Sequence, residues 1–183
     1  MRDHKNKFPM RQIHLDFHNS EEIKNIAGDF SGEKFADTLE NAHVNSVNLF
    51  ARCHHGMMYY RSEHFPERIH PHLKVANLLE EQTKCCRERG IKVNLYTSVR
   101  WDVYTVKHHR EWICIDENGA LSDYEHKAFF EAGFYKNLCV NTGYRDFLKE
   151  HLRELMEAIP ADGIWFDASF VVECCCETCM EKM

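Results

Sequence analysis

Apolar and polar positions alternate with a period of two in four short runs: residues 12–18 (QIHLDFH), 44–52 (VNSVNLFAR), 92–99 (KVNLYTSV) and 163–169 (GIWFDAS). Each run is rich in β-branched or aromatic residues and is bounded by polar or glycine punctuation, which predicts strands. Between them the period changes. Residues 32–43 place Phe35, Leu39 and Ala42 on one stripe, and residues 73–89 space Leu78, Leu79, Gln82 and Cys86 as a helix does before Gly90 stops it. The clearest helix is 144–159, where Tyr144, Phe147, Leu148, Leu152, Leu155, Met156 and Ile159 recur at i, i+3 and i+4 before Pro160.

Strand and helix thus alternate, which predicts βα units and a parallel sheet. The stretch 100–140, between the third strand and the last helix, is long and rich in histidine and aromatic residues. A connection of that length on a compact domain usually carries function.

The strand faces sharpen this picture, because successive side chains on a strand point to opposite sides. Ile13, Leu15 and Phe17 oppose His14, Asp16 and His18. Val47, Leu49 and Ala51 oppose Asn48, Phe50 and Arg52. Val93, Leu95 and Thr97 oppose Asn94, Tyr96 and Ser98, and Ile164, Phe166 and Ala168 oppose Trp165, Asp167 and Ser169. A parallel sheet covered by helices on both sides would be apolar on both faces. One apolar and one polar or aromatic face predicts a curved sheet with helices outside and a wet concavity inside. The fold class expected is therefore α/β of the (β/α) TIM-barrel type, a partial barrel of about four βα units with its chemistry at the C-terminal strand ends. An open sheet with one solvated face is the alternative. Residues 1–183 are expected to form one domain, with 1–10 a flexible N-terminal segment.

Composition narrows the function. With 183 residues, 44% hydrophobic and 28% charged, the chain is neither disordered nor a fibrous repeat. A net charge of -6 gives no support to a nucleic-acid coat or an anionic-membrane binder. No stretch approaches the roughly 18–20 apolar residues needed to span a bilayer, and residues 1–11 lack the apolar run of a secretory signal. Nine cysteines, an odd number with contiguous pairs and triplets, suit a reducing compartment, so a cytoplasmic location is expected.

Candidate chemistry gathers at the strand ends. Asp167 ends the fourth strand on its polar face, where a carboxylate can act as nucleophile, base or ligand; the plain alternative is a helix cap. His54 and His55 follow the second strand and could bind hydroxyls or a metal. Trp101, after the third strand, and Tyr59 or Tyr60 could offer flat apolar surface to a ring. His14, Asp16 and His18 share one face but lie about 6.5 Å apart in succession, so a metal site would need a pair of them with Asp167. Cys174, Cys176 and Cys179 carry zinc-knuckle spacing, yet a structural zinc needs four ligands; Cys53 or a histidine would have to be the fourth. Trp112 has no expected role.

The run Phe50-Ala51-Arg52-Cys53-His54-His55-Gly56-Met57-Met58-Tyr59-Tyr60-Arg61-Ser62 resembles the second-strand motif of α-L-fucosidases of glycoside hydrolase family 29. Gly90 through Trp101 resembles their third strand, and Tyr144 through Ala158 with Asp162-Gly163-Ile164-Trp165-Phe166-Asp167 their helix and nucleophile strand. Arg11-Gln12-Ile13-His14-Leu15-Asp16-Phe17-His18 and the cysteine cluster at 174–179 are more similar still to hypothetical glycosyl hydrolase 6, a related group of barrel enzymes. The resemblance implies retaining hydrolysis of a glycoside with Asp167 as nucleophile. It implies His54, His55, Trp101, Tyr96 and Trp165 around the sugar, with His14 and Asp16 in the pocket floor. Fucosidases continue the histidine pair with Asp-Gly-Phe, where Gly56-Met57-Met58 stands here. An eight-unit barrel needs about 250 residues, so a fragment is expected, with the acid/base outside it and a missing half or self-association covering its edges. Two other functions compete: a metal-dependent hydrolase using His14, His18 and Asp167, and a non-catalytic carbohydrate-binding half-barrel. No cofactor is expected beyond a zinc at the cysteine cluster.

Overall fold

The computed structural model describes residues 9–122 and 136–183. Four parallel strands, β1 (Gln12–His14), β2 (Ser46–Arg52), β3 (Lys92–Ser98) and β4 (Gly163–Asp167), lie in the order β1-β2-β3-β4. Helices α1 (Gly32–Asn41), α2 (Leu78–Glu88) and α4 (Tyr144–Ala158) connect them, with the short α3 (Val103–His108) after β3 and α5 (Glu177–Met180) near the C-terminus. Strand neighbours that are consecutive in sequence, each pair linked through helix, are the repeating unit of a (β/α) barrel. The chain is a partial α/β structure of that type.

One layer holds the sheet to its helices. Val47, Leu49 and Ala51 of β2 and Val93 and Leu95 of β3 pack against Ala36 and Leu39 of α1, Leu79 and Cys86 of α2, and Leu155 with Ile159 at the end of α4. Ser31 starts α1 by accepting a hydrogen bond from the Lys34 N–H at 3.4 Å. The helices cover this apolar face, and the opposite face carries the polar and aromatic side chains. No helix among the described residues is long and apolar enough to cross a membrane.

Three expectations need correction. The first strand ends at His14 rather than His18: Asp16 Oδ1 accepts from the His18 N–H at 3.3 Å, a local turn that takes the chain off the sheet. The second helix starts at Leu78, because Leu73 and Lys74 are spent on contacts with Ile26. Arg52 does not share the face of Asn48 and Phe50. A β-bulge sets Phe50 opposite Tyr96 and Arg52 opposite Thr97, which turns the guanidinium to the helix side, over the Phe147 ring. In the 100–140 stretch the chain forms α3 and bridges Trp101 to Asn137 and Ile113 to Leu138. Residues 123–135 of it lie outside the described residues, as do residues 1–8 of the segment expected to be flexible. Trp112 stacks on His109 at 3.9 Å, a packing role.

Arg52, wholly buried, donates to Asp102 Oδ2 and to the Ser98 carbonyl. Arg68 donates to the same carboxylate at 3.1 Å and to Thr105 Oγ1 at 2.8 Å, and stacks over Phe147 at 4.1 Å. Asp102 also caps α3 through the Thr105 N–H at 2.7 Å. Gly56, at φ +84°, passes so close that a Cβ there would meet Asp102 Oδ1 at 2.3 Å. Below this network α4 fastens itself through Glu154, whose carboxylate accepts from Tyr60, Ser62 and the N–H groups of Glu63 and His64 at 2.6–2.9 Å. His151 beside it is buried between Tyr60 and Thr97.

Breaking a buried ion pair by removing one partner costs about 3–5 kcal/mol. Asp102→Asn, which leaves two guanidiniums without their carboxylate, is expected to lose about that much in urea unfolding; a change below about 1 kcal/mol contradicts the arrangement. Burial holds the His151 pKa well below its ordinary 6.5, followed by repulsion from Arg52 and Arg68. The unfolded chain therefore binds a proton there that the folded chain refuses, and stability falls as pH drops below 6.5. Glu154 adds a second loss below its ordinary 4.5, because its four donors outweigh burial and lower its pKa. The melting temperature is expected to decline from pH 7 downward and to fall further below pH 4.5; a profile flat from pH 7 to 5 counts against His151, and one with no added loss below pH 4.5 counts against Glu154.

Candidate active site

The register of the strands builds the polar face in layers. His14, Asn48, Asn94 and Gly163 lie side by side at its base. Asn48 Oδ1 accepts from Gln12 at 2.7 Å and Asn94 at 3.1 Å, and Asn48 Nδ2 donates to His14 Nδ1 at 3.2 Å. Gly163 is required next to Asn94, whose Oδ1 would lie 2.7 Å from any Cβ. Above this amide layer Phe50 and Tyr96 stack at 3.8 Å, in line with Trp165 on β4. Ser98 and Asp167, again register partners, form the rim.

The rim is where ionisable groups converge. Tyr96 Oη donates to Asp167 Oδ2 at 2.6 Å and lies 3.2 Å from His54 Nε2 and 3.4 Å from His18 Nε2. Asp167 Oδ1 accepts from the Ala168 N–H at 2.7 Å, and Ala168 itself has a left-handed φ of 52°. Burial would raise the Asp167 pKa, but these two donors and the neighbouring imidazoles lower it below the usual carboxylate value. His54 moves the other way. Burial, then the adjacent His18, pushes its pKa down to about 3, and burial likewise lowers that of His18. At neutral pH an anionic carboxylate faces two neutral imidazoles.

Their tautomers follow from their partners. The Ser98 hydroxyl gives its hydrogen to the Trp101 carbonyl at 2.6 Å, so its oxygen accepts from His54 Nδ1–H at 2.7 Å, and His54 Nε2 is an acceptor. His18 Nδ1 accepts from the His54 backbone N–H at 3.1 Å, so His18 Nε2 carries hydrogen and is a donor. The two rings stack at 4.1 Å with opposite tautomers, one donor and one acceptor side by side. Trp101 stands edge-on to His54 at 4.8 Å, its indole N–H held by Asn137.

Asp167, His54, Tyr96 and Trp101 are thus brought together, with Trp165 in the ring layer below the rim and His14 beneath it (ring centroids 5.9 Å apart). Two expected residues sit elsewhere. Asp16 is 71% exposed beside His18 rather than in the floor, because the chain has already left β1. His55 is not in the ring cluster around Asp167: its charged and titratable neighbours are His18 first, then Glu21, Lys107 and His70, and its carbonyl accepts from the Tyr104 N–H at the start of α3. His18 takes the place beside His54, and the turn at Asp16 that delivers it leaves no period-two signature. His18, His54 and Asp167 present ligand atoms within 4.8 Å of one another, so the metal set expected with His14 is instead completed by His54. The Tyr96 hydroxyl already occupies the position among all three that a shared ion would take. The C-terminal cysteines form a separate group completed by Cys139; Cys53 instead accepts from the Tyr59 hydroxyl at 3.3 Å.

A family model described as hypothetical glycosyl hydrolase 6 matches residues 31–168. Among solved structures, alpha-L-fucosidase isoenzyme 2 from Paenibacillus thiaminolyticus is 36% identical with a TM-score of 0.84, over 96% of this chain and 26% of that one. An alpha-L-fucosidase from Bacteroides thetaiotaomicron (19% identity, TM-score 0.56, 79% of this chain and 28% of that one) shares the fold. So does a maltogenic alpha-amylase, AmyB, from Thermotoga neapolitana (18% identity, TM-score 0.57, 89% and 40%). The chain spans about a quarter of the length of the Paenibacillus protein. No curated protein sequence matches significantly.

Replacing Tyr96 with Phe removes the 2.6 Å donor to Asp167 while keeping the ring stacked on Phe50. The Asp167 pKa is expected to rise, read by carboxyl NMR titration. An unchanged value would show that Tyr96 does not hold the carboxylate ionised.

Proposed function

The chain belongs to the hypothetical glycosyl hydrolase 6 family, and from that premise we propose that Asp167 is the nucleophile of a retaining glycoside hydrolysis performed by a barrel of which these four strands are one part. A glycoside hydrolase-like domain is the family's common ground; the nucleophile, the stereochemistry and the sugar are the proposal. What supports it most is the state of Asp167: anionic, at the C-terminal end of its strand, and flanked by an imidazole donor and an imidazole acceptor. A carboxylate so held attacks an anomeric carbon, expels the leaving-group oxygen and forms a glycosyl ester that water then opens.

The opposed tautomers suit vicinal hydroxyls. His54 Nε2 offers an acceptor to one sugar hydroxyl and His18 Nε2–H a donor to a neighbouring oxygen, while Asp167 Oδ2 is held by the Tyr96 hydroxyl. Trp101 and the half-exposed Trp165 supply apolar walls for a sugar ring. An α-L-fucoside is the proposed substrate because the Paenibacillus protein is named for that activity. Retention requires an acid/base carboxyl about 5–5.5 Å from the nucleophile, and we assign that group to other βα units of the complete barrel. Those units, or a second copy, would cover Trp165, Phe166 and Phe170, which are 45–49% exposed along β4.

The test must not depend on the acid. A 2-deoxy-2-fluoro-α-L-fucosyl fluoride has a leaving group that departs without protonation, so nucleophile attack alone gives a stable adduct. Incubation with the 183-residue chain is expected to label the peptide containing Asp167, seen by mass spectrometry, and Asp167→Asn is expected to abolish labelling. Labelling at another residue, or none in a folded sample, overturns the assignment. Tight stoichiometric metal lost from a His18→Ala, His54→Ala double variant would favour the metal-dependent hydrolase instead, and sugar binding without labelling would favour a binding module.

A further inference from the structure

Four thiols that the glycosidase reading leaves unused converge on one point. Cys139, Cys174, Cys176 and Cys179 present Sγ atoms that all lie within 4.8 Å of one another. Two separations fix the scale: Cys139 to Cys179 is 3.4 Å and Cys139 to Cys176 is 3.7 Å. A disulfide needs about 2.05 Å. Four sulfurs at about 2.3 Å from a tetrahedral zinc lie about 3.8 Å apart, and these thiols stand close to that spacing. We infer that they form a structural zinc site.

The backbone is built for it. Cys175 donates its N–H to the Ile115 carbonyl at 2.7 Å and is exposed to solvent, while the sulfurs of Cys174 and Cys176 on either side of it both enter the cluster. The Cys176 carbonyl then accepts from the N–H groups of Cys179 and Met180 at 2.9 and 3.0 Å, a tight turn that folds Cys179 back over Cys176. Cys139 arrives from the far end of the stretch after β3, fixed by its N–H to the Trp112 carbonyl at 2.7 Å. Asn141 Nδ2 donates to the Cys179 sulfur at 3.2 Å, the kind of outer hydrogen bond that tunes a metal thiolate. Arg100 and Lys182 line the hollow beside the cluster and balance the double negative charge of a zinc tetrathiolate. Closed four-sulfur coordination leaves no open position for water, which marks a structural rather than a catalytic ion.

The ion would clasp two segments that flank the candidate active site. One carries Asn137, the partner of Trp101; the other follows Asp167 and Ala168. Arg100 bridges the same pair, donating to the Phe170 carbonyl at 2.8 Å and the Leu138 carbonyl at 3.2 Å.

The full chain, purified in reducing buffer from zinc-supplemented medium, is expected to hold one zinc per molecule by elemental mass spectrometry. Cys139→Ser and Cys176→Ser are expected to lose it and Cys175→Ser to keep it. Because a ligand variant may fail to fold, cobalt exchanged into the unaltered chain is expected to show the intense visible bands of a tetrahedral tetrathiolate. Absent zinc, zinc retained in both ligand variants, stoichiometric iron in its place, octahedral cobalt spectra, or a Cys139–Cys179 disulfide in peptide mapping would each overturn the site.

Discussion

The candidate site rests on one buried carboxylate. Asp102 holds Arg52 and Arg68 in a space without solvent, and through them it sets where β2 and β3 stop. Arg52 reaches the Ser98 carbonyl at the end of β3, and Tyr144 of α4 donates to the next carbonyl, Val99, at 2.6 Å. Ser98 in turn orients His54 and stands in register with Asp167. The ion network sits on the helix side of the sheet and the ionisable rim on the other, so the backbone between them is pinned from beneath. Two cations on one anion is not an arrangement that maximises stability. It is one that fixes position, because each planar guanidinium is also tied by its second terminal nitrogen, Arg52 to the Ser98 carbonyl and Arg68 to Thr105 Oγ1.

Above that foundation, the same physical condition produces opposite charge states. Burial disfavours charge on every group at the rim, and His18 and His54 yield to it. Asp167 does not, because Tyr96 and the Ala168 N–H aim two hydrogens at its oxygens. Those two hydrogen bonds, with the neighbouring imidazoles, keep the carboxylate anionic between two uncharged rings.

Much of this was legible in the alternation of β2, β3 and β4. Period-two reading placed Phe50, Tyr96, Trp165 and Asp167 on the polar face, and the strand register then lines the three rings up in one layer below Asp167. Such reading holds only while the chain remains a regular strand. It failed at Arg52, where a bulge adds a residue, and after His14, where an Asx turn ends β1; both events depend on contacts distant in sequence. His55 was favoured over His18 because adjacency in sequence suggests a pair, whereas the pair in space is His54 with a residue 36 positions earlier. Cys139 was invisible for the same reason. No spacing rule links it to Cys174, 35 residues on, and only the pairing of 136–138 with the residues around Trp112 carries it there.

On the proposed function, a division of the site between this chain and the rest of a barrel would have a geometric reason. Everything that prepares Asp167 comes from within the described strands and their loops: Tyr96 from β3, His54 after β2, His18 after β1, and its own neighbour Ala168. A nucleophile must be ionised before the sugar arrives, and its supports must therefore touch it. The acid is under the opposite constraint, since it has to reach the leaving group across the scissile bond from the attacking oxygen. If Asp167 is the nucleophile proposed, its acid/base partner lies about 5–5.5 Å away across the scissile bond, and an environment of Asp167 assembled wholly within these strands is consistent with a chain that spans about a quarter of the Paenibacillus protein.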